Sequence, residues 1–190
     1  MIGRIFITRS GYDPMAGKHV KDPYLDGEPS LGACGRDIRK QLKVGDYLFA
    51  ISGKVKGVDQ FVMTGFEVAR KIHARDAFDE FPERHLHLRP DGQLAGNVVI
   101  DADGKKHPLD QHNAKTFDRR LADYIVGKNP IVLETDEEVQ RGRAETMDAL
   151  QEIMKKKGKT PKDIVTRFGT KLTETQAIQL HDWLKKLKAG

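Results

Sequence analysis

Cysteine is nearly absent from this chain of 190 residues, since Cys34 is the only one. One cysteine excludes a disulfide within the chain and a paired-cysteine zinc site, and it is typical of a reducing compartment. Long hydrophobic runs are missing too, and none approaches the roughly 20 residues that a membrane span needs. The opening residues lack the apolar stretch of a signal peptide. We therefore expect a cytoplasmic protein without a membrane partner.

Sequence motifs for known catalytic sites are also missing. The chain has no P-loop, no G-x-S-x-G nucleophile turn and no H-E-x-x-H metal helix, so we expect neither a catalytic residue nor a cofactor. Cys34 is most simply a small buried side chain at the start of a helix. The alternative is a reactive thiol, because a helix start lowers the pKa of a cysteine.

One polar cluster stands out in residues 101–113. Two histidines and several carboxylates in this stretch are candidate ligands for a divalent metal. The alternative is a hairpin around Asp103 and Gly104, a dipeptide that favours a tight turn. The candidate ligands are Asp101, Asp103, His107 and His112, with Asp110 between them.

Positive charge is concentrated at the end of the chain. The formal net charge is +5, yet residues 1–140 hold 21 Lys and Arg against 22 Asp and Glu. Residues 141–190 hold 12 against 6. Such a basic segment favours an anionic partner, most often nucleic acid, although a solvated helix surface has the same composition.

The apolar pattern predicts strands in the first part of the chain. Residues 3–8, 47–51 and 61–72 read as strands, and a long irregular loop fills residues 9–30. Residues 31–42 are predicted as an amphipathic helix that Gly45 ends. We expect an α+β fold in which residues 1–134 form a mixed β-barrel domain with flanking helices.

Residues 135–190 are predicted as a basic helical extension of that domain. Thr135 and Glu138 match a capping box, and Thr173 is placed to begin the last helix. Five lysines in this extension are candidate phosphate contacts: Lys155, Lys156, Lys157, Lys159 and Lys162. The alternative is a helical lid or dimerisation element, so a homo-oligomer through these helices is a further expectation.

The segment around residues 30–50 resembles a known family. Three features carry the likeness: Gly11 to Pro14 in the first loop, the run from Ser30 to Arg39, and the joint Gly45-Asp46-Tyr47. Gly96, Asn97 and His107 or His112 extend it. Together they resemble nucleotide modification associated domain 2, a family of phages and bacteria related to the PUA-like, ASCH, EVE and YTH modules. The likeness covers roughly residues 1–134.

The resemblance implies a PUA-like barrel whose concave face holds one extruded, modified base of a nucleic acid, with DNA expected over RNA. Candidate pocket residues are Tyr12, Tyr24, Asp46 and Ser52, and further phosphate contacts are Arg9, Lys18, Arg36 and Arg39. Several of them have a plainer alternative: core anchors for the tyrosines, a turn cap for Asp46 and a solvated helix surface for Arg36 and Arg39. An enzyme acting on a nucleotide or base, and a protein-interaction adaptor, remain alternative functions.

Overall fold

The computed structural model describes residues 2–166 and 168–190. Within them the strands are β1 Gly3–Gly11, β2 Ser30–Leu31, β3 Tyr47–Gly53, β4 Val62–Ile72, β5 His87–Leu88, β6 Leu94–Ala95, β7 Tyr124–Val132 and β8 Thr170–Leu172. The helices are α1 Arg36–Gln41, α2 Ala74–Glu80, α3 Asp136–Met154, α4 Pro161–Ile164 and α5 Glu174–Ala189. The expected α+β class is confirmed.

Six of these strands form one curled sheet, a half-barrel in the order β2-β7-β4-β3-β1-β8. Strands β1 and β3 are parallel, because the long first loop and α1 carry the chain back to the same end of the sheet. The other pairs are antiparallel. Strands β5 and β6 form a separate two-stranded ribbon.

Both faces of the sheet are covered, and β3 is therefore buried along almost its whole length. One hydrophobic cluster joins the sheet to α3 and α5 through side chains such as Leu150, Leu180 and Leu184. A second cluster packs α2 and residues 98–100 against Tyr124 and Val126 of β7. No helix in the described part of the chain has the length and apolar content to cross a membrane.

The C-terminal segment belongs to the same core as the preceding residues. Thr135 and Glu138 form the predicted capping box at the start of α3, and Thr173 caps α5 as expected. Strand β8, which the sequence pattern did not predict, pairs with β1 and brings Leu172 opposite Gly3. The predicted boundary at residue 134 thus divides the sequence but not the hydrophobic core.

The predicted helix over residues 31–42 is corrected at its start. Leu31 lies in β2, opposite Ile125 of β7, and the helix begins only at Arg36. The backbone N–H groups of residues 32–34 donate to the buried carboxylate of Asp22 and are not part of a helix. This side chain competes with the helix for the same donors, so the helix is six residues long.

The Gly45-Asp46 joint fixes the start of two strands. Gly45 has a φ of 86°, a left-handed conformation that glycine adopts without strain. The two carboxylate oxygens of Asp46 accept hydrogen bonds from the backbone N–H groups of Ile2 and Lys43, each at 2.9 Å. Asp46 therefore ties the residue before β1 to the turn that leads into β3.

Candidate functional site

A cleft of about 110 Å³ lies between the first long loop and the β5–β6 ribbon. Both predicted tyrosines line it, together with charged side chains of both signs; its polar lining includes Tyr12, Tyr24, Lys21, Asp26, Arg89 and Glu134. It is named the tyrosine cleft below. Carboxylates accept and cationic side chains donate hydrogen bonds, so the lining can contact both kinds of group on a planar polar ligand.

Tyr12 forms a rigid wall of the tyrosine cleft. Its side chain is 9% exposed, its hydroxyl donates to the carbonyl of Leu133 at 3.2 Å, and its ring centroid lies 6.2 Å from that of Phe61. Burial, with the nearby charges of Glu134 and Asp26, raises the pKa of Tyr12 to about 12. Tyr12 is thus a neutral hydrogen-bonded phenol at neutral pH and largely a core anchor.

Tyr24 is the more accessible ring. It is half-buried, and its backbone N–H and carbonyl pair with Ser30 at 2.9 and 3.0 Å. The guanidinium of Arg84 lies over the ring at 5.0 Å from its centroid and over Phe81 at 3.7 Å. A cation over one face of Tyr24 fixes the ring orientation, which is what a stacking platform requires.

A second cleft, of about 300 Å³, adjoins the first because His19 lines both. Its charged lining comprises Lys18, Lys54 and Lys56. Ser10, Gly11, Val55 and Gln93 complete the lining, and no carboxylate is found among the described residues that line it. It is named the lysine cleft below.

A buried polar network holds the first loop next to the clefts. Asn97, fully buried, donates to the Asp22 carboxylate at 2.9 Å and to the Ser30 hydroxyl at 3.0 Å. The Tyr124 hydroxyl donates to the side-chain amide oxygen of Asn97 at 2.6 Å. Because every member has a partner, the network anchors residues 22–33 to β7 in one arrangement.

Three predicted site residues do line the two clefts: Tyr12, Tyr24 and Lys18. Asp46 and Ser52 do not. Asp46 caps backbone groups as described above, and the buried Ser52 hydroxyl accepts from the Phe61 N–H at 3.1 Å. Both side chains are occupied by backbone donors, so the structure gives them structural roles in place of the predicted base contact.

The predicted phosphate contacts divide by exposure. Arg39 is 0% exposed and donates to the carbonyls of Cys34, Arg120 and Asp123, so it cannot reach a phosphate and that prediction is wrong. Arg36 is paired with its neighbour Asp37 at 2.7 Å. Arg9 is exposed but outside both clefts, and the exposed lysines Lys155, Lys156, Lys157, Lys159 and Lys162 lie on the loop after α3 and on α4.

The polar cluster of residues 101–113 is a set of turns. Asp101 accepts from the N–H groups of Asp103 and Lys105, as the hairpin alternative predicted. Among residues 2–166 and 168–190, no group of three or more His, Cys, Asp or Glu side chains is placed to hold a metal ion. The candidate metal ligands Asp101, Asp103, His107 and His112 are therefore not brought together.

One pair within that cluster has a defined geometry. His112 Nδ1 lies 2.6 Å from a carboxylate oxygen of Asp110, whose side chain is fully buried. Burial by itself raises the pKa of Asp110, but the hydrogen bond with His112 and the charge of Lys106 outweigh it and leave the pKa below its ordinary value.

Cys34 is not an activated thiol. Burial, together with the negative charge of Asp22, raises the pKa of Cys34 to about 12. A thiol with this pKa stays protonated at neutral pH and is a poor nucleophile. Cys34 is half-buried rather than fully buried, and its raised pKa argues against the reactive alternative.

Sequence reasoning missed Lys54, Lys56, His19 and Arg89 as site residues. Lys54 and Lys56 lie between the predicted strands 47–51 and 61–72, where a connecting loop is the simplest interpretation. The pattern that could have identified them is an apolar residue between two lysines. In the structure, Val55 packs against Gly11, and both lysines are exposed. No family model, curated protein or solved structure matches the chain.

Proposed function

We propose that this chain is a nucleic-acid-binding module that holds one extruded base in the tyrosine cleft. The observation that carries the proposal is the lining of that cleft, where Tyr12 and Tyr24 stand beside hydrogen-bonding groups of both kinds. Extruding a base costs a few kcal/mol, which stacking and edge hydrogen bonds offset. A nucleobase, unmodified or modified, is the ligand class that matches aromatic rings beside hydrogen-bond donors and acceptors.

The surrounding charge supports a polyanionic partner. The lysine cleft adjoins the tyrosine cleft, and five exposed lysines follow α3. Lysines near a nucleic-acid backbone release condensed counterions, so we expect binding to weaken steeply as salt concentration rises. DNA is the proposed partner over RNA, in the setting of base modification or defence in phages or bacteria that the family resemblance implies.

The fold is compatible with this proposal. A curled sheet with a cleft at its loop end is the architecture expected of a PUA-like module, and we carry that assignment as part of the proposal. A cytoplasmic location belongs to the same proposal. So does a homo-oligomer through the C-terminal helices, where Ile178 is an apolar side chain 43% exposed on α5.

Binding to fluorescent oligonucleotides tests the proposed function. Anisotropy is measured with single- and double-stranded DNA and RNA, with and without modified bases, at two salt concentrations. The test variant is Tyr24→Leu, because Tyr24 is more exposed than Tyr12 and Leu keeps apolar volume. Loss of one stacking contact is expected to weaken binding by about 1–3 kcal/mol.

Tyr47→Leu is the matched control for Tyr24→Leu. Tyr47 is also partly exposed, but it lies beside His181 of α5, with ring centroids 5.0 Å apart, and lines neither cleft. Binding that is unaffected by Tyr24→Leu, or equally weakened by both variants, contradicts a base in the tyrosine cleft.

An enzyme acting on a nucleotide or base is the second candidate, favoured by the Asp110–His112 pair. With the Asp110 carboxylate ionised, His112 Nδ1–H donates to it and Nε2 is left as a proton acceptor, the arrangement of a general base. His112 lines neither cleft, which is why the binding module is the conclusion. Turnover of nucleotides that is lost in His112→Gln would establish the enzyme instead.

A further inference from the structure

We propose that the lysine cleft binds a phosphate group. Lys18, Lys54 and Lys56 line it, His19 adds a ring that can donate, and Gln93 adds an amide. Three cations that line one cleft, with no carboxylate in its described lining, leave uncompensated positive charge at neutral pH. A compact anion with several acceptor oxygens is the ligand that offsets such a charge.

The Lys18 side of the cleft is held in place before any ligand arrives. Asp13 and Lys18 form two backbone hydrogen bonds, Asp13 N–H to Lys18 at 3.0 Å and Lys18 N–H to Asp13 at 2.8 Å, which close the intervening turn. Arg143 of α3 forms an ion pair with the buried Asp13 carboxylate at 2.8 Å. The turn that presents Lys18 is thereby anchored to the longest helix.

The opposite side is the tip of the β3–β4 hairpin. Val55 and Val58 form an isolated bridge, with Lys56 and Gly57 as the two residues of the turn, and Gly57 has a φ of 75°. The absence of a side chain at Gly11 lets Val55 pack against β1, since an added Cβ there would collide with it. Lys54 and Lys56 are therefore carried on a tip that is docked to the end of β1.

Gln93 lines the lysine cleft and directly precedes strand β6. Its side-chain amide donates to the carbonyl of Gly17 at 3.3 Å, and its carboxamide oxygen lies 3.5 Å from the N–H of His19. The β5–β6 ribbon, which also supplies part of the tyrosine cleft, is thus linked to the turn that carries Lys18. Because His19 lines both clefts, a phosphate in the lysine cleft and a base in the tyrosine cleft would be neighbours, as the phosphate and the base of one nucleotide are.

Inorganic phosphate is the first probe, because its binding does not depend on the proposed function. It is titrated into the ¹⁵N-labelled full chain at low and at physiological ionic strength, and amide shifts are followed. We expect saturable shifts at Lys18, His19 and Val55. In Lys54→Gln/Lys56→Gln the affinity is expected to fall about tenfold, since each exposed lysine–anion pair contributes up to about fivefold.

Lys185→Gln/Lys186→Gln on α5 is the control, with the same loss of charge at two exposed lysines outside both clefts. It is expected to keep the wild-type affinity. A native amide spectrum for each variant establishes that the chain is folded. Shifts spread over all exposed lysines, or equal weakening in test and control variants, overturn the phosphate site.

The nucleotide arrangement rests on the proposed function and has its own measurement. Oligonucleotides with and without a 5′-phosphate are compared in the wild type and in Lys54→Gln/Lys56→Gln. A 5′-phosphate preference that the double variant removes assigns the cleft to a terminal phosphate. If the wild type binds both oligonucleotides equally and the double variant binds both more weakly, the lysine cleft is assigned to an internal phosphodiester. Phosphate binding with no effect of the variant on any oligonucleotide overturns the nucleotide arrangement and leaves the phosphate site standing.

Discussion

Single side chains in this protein often serve the backbone, and Arg39 is the strongest case. Its guanidinium is fully buried and donates to three carbonyls, at 3.0, 3.1 and 2.7 Å, from three separate positions in the chain. Burial lowers the pKa of Arg39, because the charged form has left water. The planar guanidinium holds its donors in a fixed geometry, so that one side chain donates to all three carbonyls.

Arg39→Lys is therefore expected to destabilise the protein although it keeps the charge. A lysine ammonium cannot span the three carbonyls, so the free energy of unfolding should fall by about 2–3 kcal/mol in urea denaturation. Arg36→Lys on the same helix is the control, because Arg36 pairs only with the exposed Asp37, and we expect a change within about 0.5 kcal/mol. Equal effects of the two substitutions would argue against the carbonyl contacts.

The Asp110–His112 pair makes part of the stability dependent on pH. The pKa of Asp110 in the folded protein is below its ordinary value, so its ionised form stabilises the fold above the unfolded-state pKa of about 4. This contribution is lost as the pH falls through the lowered folded-state pKa. Urea denaturation from pH 7 to pH 3 should show a smaller acid loss for Asp110→Asn than for the wild type. Parallel curves would contradict the assignment.

Sequence patterns identified some site residues, but they could not separate exposed charges from buried ones. Arg36 and Arg39 look alike on a short amphipathic helix, and only the tertiary neighbours of Arg39, residues 120 and 123, distinguish them. Tyr12 and Tyr24 were predictable as loop aromatics with a packing or binding role. Lys54 and Lys56 became site residues only when the hairpin tip met the end of β1, a contact of distant segments.

At the scale of elements, the sequence pattern correctly predicted those helices and strands whose formation depends mainly on their own residues. The capping box of α3 and the buried run of β3 were both readable from the sequence. The start of α1 and the strand β8 were not, because each depends on a partner far away in the chain. Asp22 takes the N–H groups before α1, and β1 recruits the short Thr170–Leu172 segment.

The ion pair between Arg143 of α3 and Asp13 anchors the turn that carries Lys18. Arg143→Met should show how much this ion pair contributes to stability. The substitution leaves the Asp13 carboxylate, 3% exposed, without its counter-charge, so we expect about 1–3 kcal/mol of destabilisation. Hydrogen exchange should accelerate first at the amides of Asp13 and Lys18, whose mutual bonds close the turn.

The double variant Asp13→Asn/Arg143→Met separates a lost ion pair from lost packing. Removing both charges takes away the unpaired buried carboxylate, so stability should recover by about half or more of the single-variant loss. If the double variant is as unstable as the single one, the contact of the Arg143 guanidinium with Phe61 is the larger contribution; the guanidinium carbon lies 5.8 Å from the centroid of that ring.

At the scale of the whole molecule, the C-terminal segment completes the fold that carries both clefts. Residues after 134 supply an edge strand and the helices that cover one face of the sheet. Without them, buried side chains such as Phe49, which lies with Leu184 of α5 beside Gly65, and Phe61, which lies beside Gly142 of α3, would face water. Each Å² of apolar area exposed in this way lowers the free energy of unfolding by about 25 cal/mol. The summed loss exceeds the small net stability of a typical domain.

A chain ended after residue 134 is therefore expected not to fold, and the full chain to unfold in one cooperative step. Circular dichroism and amide spectra of residues 1–134 should lack a sigmoidal melt and dispersed resonances, while fluorescence and circular dichroism of the full chain give coincident urea transitions. Leu184→Ala in the full chain is a milder probe of the same interface, since Leu184 is fully buried against the sheet and should cost about 2–5 kcal/mol. A folded 1–134 fragment that still binds phosphate would show instead that the clefts belong to an independent domain and that α3 and α5 are an accessory layer.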